Sequence, residues 1–182
     1  ERWLAPDLTG MTLGIVGFGQ VGQEVARRAL AMDMTVVVCN RSDATDTASK
    51  MGAKATSLED LLAQADIVSS HLRHTESTDK FFDAARFGAM KRGAYFVNTA
   101  RGGLVDERAA VQALDEERLS YLGLDVFASE PFSDLLLSLS RPNLCLTPHA
   151  SGFHPGLGEG IAQGLDGIFR SYIAGDRVPF EL

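Results

Sequence analysis

The sequence LGIVGFGQVG at residues 13–22 decides the fold of this chain of 182 residues. A short apolar run ends at Gly17, and apolar residues at helical spacing follow over residues 20–31, so the stretch predicts a strand, a tight turn and a helix. In a GxGxxG motif the first glycine permits the turn, the second lets the backbone approach a pyrophosphate, and the third allows close packing of helix on strand. We therefore predict that a dinucleotide binds at the helix N-terminus, on Gly17, Gly19, Gln20, Val21 and Gly22.

The rest of the chain alternates between strand-like and helix-like apolar patterns, which is typical of βαβ units and a parallel sheet. Further helices are predicted to begin near Ser57 and to span 106–114. Further strands are predicted over 35–39, 53–56, 67–72, 95–99, 122–127 and 144–147. The pattern predicts an α/β fold with a doubly wound, mostly parallel sheet of the Rossmann type, in one domain over 1–182. The glycine-rich segment 152–167 has two open interpretations, a helix with glycines in line or a loop-rich tail.

Composition and charge exclude several classes of protein. The chain has 45% apolar and 23% charged residues, and its net charge is −7 with no cluster of Lys and Arg, which argues against a nucleic-acid partner. Its apolar runs are far shorter than the roughly 20 residues that cross a bilayer, so no membrane span is predicted. Cys39 and Cys145 lie in strand-like apolar runs and are expected to be buried thiols in a reducing cytoplasm. No spacing of His, Cys, Asp or Glu predicts a metal site.

The end of the second predicted strand carries the residues expected to contact the adenosine ribose. Asn40, 18 residues beyond Gly22, stands where an acidic residue would bind the 2′-hydroxyl of NAD. Arg41 and Ser42 follow it, and a guanidinium beside a hydroxyl is suited to the 2′-phosphate of NADP. We therefore predict NADP as the cofactor. Dual use of NAD and NADP, and a merely solvated Arg41, remain open alternatives.

Three motifs in the second half of the chain reveal a family resemblance. They are VNTARGGLVD at residues 97–106, LDVF at 124–127 with EP at 130–131, and TPH at 147–149. Together with the glycine loop they resemble, in order and spacing from about Leu8 to Gly175, the nucleotide-binding domain of the D-isomer-specific 2-hydroxyacid dehydrogenases. The resemblance implies a two-domain enzyme whose substrate-binding domain precedes this segment, so that domain is expected to be absent from this chain.

The resemblance also implies a role for each polar residue of these motifs. Arg101 matches the arginine that binds the substrate carboxylate, for which a planar guanidinium is well suited. His149 matches the acid/base that exchanges a proton with the substrate oxygen, and Glu130 matches the carboxylate that holds its ring and stabilises the imidazolium. Asp125 matches the residue that contacts the nicotinamide carboxamide, although it would also satisfy backbone donors at a strand end.

Residues 71–75 resemble a His-x-Pro-x-Thr loop that lies beside the cofactor in the family. Arg73 replaces the proline, and it is either a second cation near the adenosine phosphate or a plain exposed arginine. His74 and His154 are expected at the surface. The predicted cofactor contacts are completed by Leu72, Thr78, Thr99 and Ser151.

The resemblance and the loop after the second strand together predict an oxidoreductase that uses NADP(H) on a small 2-keto or 2-hydroxy acid, first of all glyoxylate or hydroxypyruvate. The full-length protein is expected to be a cytoplasmic homodimer. One alternative is a nucleotide-sensing module similar to the transcriptional co-repressors that share this fold. A different Rossmann enzyme is a second alternative, but a Tyr-x-x-x-Lys helix is missing, because no lysine stands four residues after Tyr95, Tyr121 or Tyr172.

Overall fold

The computed structural model describes residues 7–131 and 141–176. The chain divides into two compact units, 1–149 and 150–182, so the single domain over 1–182 stays a prediction. The strands of the first unit are β1 Thr12–Val16, β2 Thr35–Cys39, β3 Lys54–Ala55, β4 Ile67–Ser70, β5 Ala94–Asn98, β6 Leu119–Leu124 and β7 Leu144–Leu146. Its helices are α1 Gln20–Leu30, α2 Thr45–Met51, α3 Leu58–Gln64, α4 Ala84–Ala89 and α5 Glu107–Asp115.

The seven strands form one sheet in the order β3-β2-β1-β4-β5-β6-β7, and every described pair is parallel. The chain runs outward from β1 to β3 on one side and then crosses to β4 on the other side of β1. This reversal of strand order leaves a crevice at the carboxyl ends of β1 and β4, which is where open α/β sheets bind ligands. The predicted doubly wound α/β fold is confirmed.

Each face of the sheet is covered by its own hydrophobic core. Side chains of α1 and α2, including Ala26 and Ala48, pack on one face together with Val36 and Val38 of β2. Helices α3, α4 and α5 pack on the opposite face, where Val37 of β2 is buried. Successive residues of β2 thus point to opposite cores, as the period of two in a strand requires, and burial on both faces explains why this strand is apolar throughout.

Several boundaries differ from those predicted. The sixth strand begins at Leu119, three residues before the predicted start at residue 122. Helices α2 and α4 were not predicted, because segments of seven and six residues show little helical period. The seven-residue α3 was predicted because Ser57 and the acids after it mark its start. Cys145 is exposed rather than buried, because β7 is a three-residue edge strand on which only alternate side chains face the core, whereas Cys39 is half-buried.

The second unit contains one described helix, α6, over Leu157–Ala174. The helical interpretation of the glycine-rich segment is therefore confirmed from Leu157 onward, while Gly152 and Gly156 precede the helix. Within the residues that the structure describes, neither this helix nor any other combines the length and the apolar character that a membrane span requires.

Candidate dinucleotide and acid/base site

The glycine motif forms the turn between β1 and α1, and its three glycines have different structural roles. Gly17 has φ +98°, and a Cβ on it would lie 2.6 Å from the carbonyl of His71, at the end of β4. A Cβ on Gly22 would lie 2.4 Å from the carbonyl oxygen of Gly17. A Cβ on Gly19 would meet nothing within 4 Å. The fold itself therefore requires glycine at 17 and 22, whereas at Gly19 it leaves open space, as a loop that admits a ligand to its backbone would.

The N-terminus of α1 has no side-chain cap. Gly19 is the N-cap residue and offers no side chain, and the first turn contains Gln20, Val21 and Gly22 with no charged group. The first N–H groups of a helix have no intrahelical partner, and the helix dipole places partial positive charge there. The Gly17 N–H donates a hydrogen bond to the Cys39 carbonyl at 2.8 Å, which holds this turn against the end of β2. The residues present therefore fit the diphosphate of a dinucleotide.

The loop after β2 shapes a shallow cavity of about 320 Å³ that Asn40, Arg41 and Ser42 line. Asn40 organises this loop, because its Oδ1 accepts the Phe18 N–H at 3.1 Å while its Nδ2 donates to Ser42 Oγ at 2.9 Å. Arg41 is exposed and is paired with no carboxylate among the described residues. Asp43 lines the same cavity. Hydrogen bonds from the hydroxyl and N–H of Thr45 hold the pKa of Asp43 below its ordinary value, so a carboxylate charge also faces this space.

A second cavity of about 500 Å³ lies between the glycine loop and β5. It is lined by Val21 of α1 and by residues of the loops after β4 and β5. The structure places Arg73 here, in the same cavity as Arg101 and apart from the loop after β2. The predicted contacts Leu72 and Thr99 line it as well.

The loop after β5 presents Arg101 on a rigid turn. The buried Asn98 donates from Nδ2 to the Arg101 carbonyl at 2.9 Å, and its Oδ1 accepts the Ala100 N–H at 3.1 Å. Gly102 packs closely against the backbone after β6, because a Cβ added to it would lie only 1.8 Å from the carbonyl carbon of Phe127. The turn that carries Arg101 is therefore held by the side-chain amide of Asn98 and by the backbone contact of Gly102 with Phe127.

Glu130 and His149 form a hydrogen-bonded pair. Glu130 Oε2 lies 2.8 Å from His149 Nδ1, and Glu130 Oε1 accepts the Phe127 N–H at 3.0 Å. These two bonds, that with His149 first, hold the pKa of Glu130 below its ordinary value of 4.5. The carboxylate fixes the imidazole by Nδ1, so that Nε2 is the nitrogen left for substrate, and the pair lines a cavity of about 470 Å³.

The backbone of His149 has φ +53°, a left-handed conformation that a non-glycine residue rarely adopts. Its N–H donates to the Asp125 carbonyl at 2.7 Å, which holds the residue in place. Asp125 is buried, and its Oδ1 accepts the hydroxyl of Thr147 at 2.5 Å. Strain of this kind persists where surrounding contacts over-determine it, which is common at functional sites.

The structure brings some predicted site residues together and leaves others apart. Glu130 and His149 are in contact, whereas Arg101 lines the neighbouring cavity and forms no described bond to either of them. The Thr78 hydroxyl donates to the Arg73 carbonyl at 2.8 Å and so stabilises its own loop. Ser151 belongs to the second unit. His74 is partly exposed, as expected, but it bonds Asp79 at 2.9 Å and packs on Gly103.

The sequence interpretation gave no role to three residues that the structure shows to be important. Asn98 and Gly102 stand inside the motif at 97–106, where an amide and a glycine beside an arginine could have indicated a tight turn. Thr147 stands in the TPH motif, but no local pattern indicates that it bonds Asp125, 22 residues away. Across the described residues there is no group of three or more His, Cys, Asp or Glu placed to hold a metal ion.

Comparison with protein families gives a match over the whole of the first unit. The family model described as "D-isomer specific 2-hydroxyacid dehydrogenase, NAD binding domain" matches residues 1–151. This range includes the glycine motif, the Arg101 turn and the Glu130–His149 pair.

Individual relatives agree with the family match. The chain is 40% identical over 164 residues to a glyoxylate reductase of Thermococcus kodakarensis, covering 89% of this chain and 49% of that protein. It is 38% identical over 162 residues to D-3-phosphoglycerate dehydrogenase 2, chloroplastic, of Arabidopsis thaliana, covering 89% and 26%. A crystal structure of a glyoxylate reductase from Paecilomyes thermophila superposes with a TM-score of 0.85 at 38% identity, covering 93% and 51%. The chain thus spans between a quarter and about half of these proteins' lengths.

Proposed function

The chain belongs to the D-isomer specific 2-hydroxyacid dehydrogenase family through its NAD-binding domain, and we propose that its protein transfers a hydride between NADP(H) and a small 2-keto or 2-hydroxy acid. Glyoxylate and hydroxypyruvate are the first candidate substrates, and the glyoxylate reductases among the relatives support this choice. The observation that carries the proposal is the contact between Glu130 Oε2 and His149 Nδ1 at 2.8 Å. A carboxylate that fixes one imidazole nitrogen leaves the other free for proton transfer.

Each polar group has a chemical task in this proposal. The cofactor, when bound at the glycine loop, supplies or accepts the hydride. His149 donates a proton from Nε2 to the substrate oxygen in reduction and accepts it in oxidation, while ionised Glu130 stabilises the imidazolium form. Arg101 binds the substrate carboxylate from the end of β5. Because these residues stand at the carboxyl ends of neighbouring strands β5, β6 and β7, one small acid is held between them and the cofactor.

The preference for NADP over NAD rests on the loop after β2. Asn40 supplies no charge and is engaged with Phe18 and Ser42, so the charged group available to a 2′-phosphate is Arg41. The carboxylate of Asp43 lines the same cavity and would repel a phosphate. Its Oδ1, however, accepts the N–H of Thr45 and is thereby directed to the start of α2. We therefore propose that NADP is preferred and that NAD is also accepted. A homodimer and a cytoplasmic location are proposed with the enzyme.

Two measurements test the proposal. Calorimetric titration of the chain is expected to show binding of NADPH and, more weakly, of NADH, and failure to bind either rejects the dinucleotide site. The complete gene product is then assayed with NADPH and a panel of small 2-keto acids. The His149→Gln variant is expected to lose turnover and to keep its affinity for NADPH. Full turnover in that variant contradicts the acid/base role, and absence of turnover in the wild type, with cofactor still bound, favours the nucleotide-sensing module.

A further inference from the structure

The cavity between the glycine loop and β5 holds a guanidinium that the proposed reaction does not use. Arg73 is exposed, it lines this cavity, and its side chain forms no hydrogen bond or ion pair with any described residue. Arg101, the other arginine in the lining, is assigned to the substrate carboxylate. Arg73 therefore brings a positive charge to the crevice with no anion of the described chain to balance it.

The lining of the cavity is positive although the whole chain carries a net charge of −7. Its described lining contains two arginines and no carboxylate. The lining also contains two histidines. The ring of His74 is bonded to Asp79 at 2.9 Å. Burial lowers the pKa of His71, which favours the neutral form of its ring. Such a crevice raises the local concentration of anions. A bound dinucleotide brings two negative charges in its diphosphate.

The first turn of α1 contributes to the lining of the same cavity. Val21, in that turn, lines the same cavity as Arg73. The turn meets an anion with backbone N–H groups only, because it holds Gln20, Val21 and Gly22 and no cationic side chain. The first turn of α1 therefore offers a bound diphosphate no side chain with a full positive charge. Arg73, on the loop after the neighbouring strand β4, is placed to provide one.

The loop holds Arg73 at this place by its own bonds. The Thr78 hydroxyl donates to the Arg73 carbonyl at 2.8 Å, and the Thr75 N–H donates to Thr78 Oγ1 at 2.8 Å. The next residues are joined to the Arg101 turn, because the Lys80 N–H donates to the Gly103 carbonyl at 2.7 Å. The backbone that carries Arg73 is therefore held by its own loop and by the Arg101 turn, while its side chain stays free to meet a ligand.

We propose that Arg73 is a cationic contact for the diphosphate of the dinucleotide, in the cavity that it lines together with the first turn of α1. This role rests on the proposed function and is distinct from that of Arg41, because it recognises a group that NADH and NADPH share. Arg73 and Arg41 also line different cavities. Arg73 therefore contributes to affinity for both cofactors, and Arg41 contributes to the choice between them.

The test is a set of titrations of the full chain with NADH, NADPH, ADP and adenosine, in the wild type and in Arg73→Leu. The variant keeps apolar bulk and removes the charge. We expect its Kd for NADH and for NADPH to rise by the same factor, about tenfold, as for loss of one charge-assisted hydrogen bond. ADP is expected to lose affinity similarly and adenosine is not. Raising the salt concentration is expected to weaken NADH binding more in the wild type than in the variant.

Controls separate the possible outcomes. Arg108→Leu removes an exposed arginine of α5 outside the cavity and is expected to leave all four Kd values unchanged. Arg73→Lys, which keeps the charge, is expected to recover part of the affinity for NADH. Unchanged binding of NADH by Arg73→Leu overturns the inference, as does a loss limited to NADPH or an equal loss for adenosine. If the wild type binds no dinucleotide, the proposed function fails as well, and that result is distinguishable from failure of Arg73 alone.

Discussion

The side-chain amide of Asn98 donates a hydrogen bond to the carbonyl of Arg101 at 2.9 Å, and the same amide accepts the Ala100 N–H at 3.1 Å. Asn98 is fully buried at the end of β5, whereas Arg101 is exposed at the crevice. The buried side chain of Asn98 thus shapes the turn that carries Arg101, the residue proposed to bind the substrate. The position of the guanidinium depends on a residue that no substrate would contact.

Asn98→Ala is expected to destabilise the chain and to disorder the Arg101 turn. The substitution leaves the Ala100 N–H without its partner in a part-buried turn, and the Arg101 carbonyl keeps only its longer bond from the Leu104 N–H at 3.3 Å. We therefore expect the free energy of unfolding to fall by about 2 kcal/mol. Urea denaturation measures this change. Asn143→Ala, which removes an amide without a described side-chain bond, is the control, and an equal effect of the two variants would show that the Asn98 bonds are unimportant.

Gly102→Ala is expected to separate the Arg101 turn from the chain after β6. The added Cβ would stand 1.8 Å from the Phe127 carbonyl carbon, so the backbone must move, at a cost of about 3 kcal/mol or more in stability. Thermal and urea denaturation measure this cost. In Gly88→Ala the Cβ meets nothing within 4 Å and lies in α4, so this control is expected to be stabilised by about 0.5–1 kcal/mol. Equal stability of the two variants contradicts the described contact.

Arg41→Ala is expected to raise the Kd for NADPH about tenfold, which corresponds to about 1.4 kcal/mol, and to leave the Kd for NADH nearly unchanged. The physical reason is that only NADPH carries the 2′-phosphate. Calorimetric titration with both cofactors gives the ratio. Arg92→Ala, which removes an arginine that lines a different cavity near α4 and α5, is the control. Equal losses for NADH and NADPH in Arg41→Ala would reject the phosphate role.

The Glu130 carboxyl is expected to titrate below its ordinary value of 4.5, because His149 and the Phe127 N–H both stabilise the ionised form. A folded-state pKa below that of the unfolded chain means that this pair stabilises the fold above pH 4.5 and loses its contribution as the pH falls through the folded value. Carbon NMR of the Glu130 carboxyl measures the titration. In His149→Ala the pKa of Glu130 is expected to rise toward its ordinary value. An unchanged titration of Glu130 in that variant would contradict the coupling.

The class of the fold is predictable from the amino-acid sequence, because the patterns that specify it are local. The glycine motif between an apolar strand and an amphipathic helix specifies one βα turn, and the alternation of patterns specifies the parallel sheet. The motifs around Arg101, Glu130 and His149 carried the family resemblance on which the predicted roles of these residues rest. The sequence pattern did not predict the short helices α2 and α4 or the exposure of Cys145. These elements have seven, six and three residues, too few to show a clear hydrophobic periodicity.

The placement of those groups relative to one another became visible only in the folded protein. It joined Glu130 to His149 across 19 positions and Thr147 to Asp125 across 22. It placed Arg73 in a cavity with Val21 and not with the loop after β2, and it set Gly102 against Phe127. Each relationship joins different loops at the carboxyl edge of the sheet. Strand order and register fix which loops are neighbours, and these are set by the burial of two cores together, a collective property that no local stretch of sequence contains.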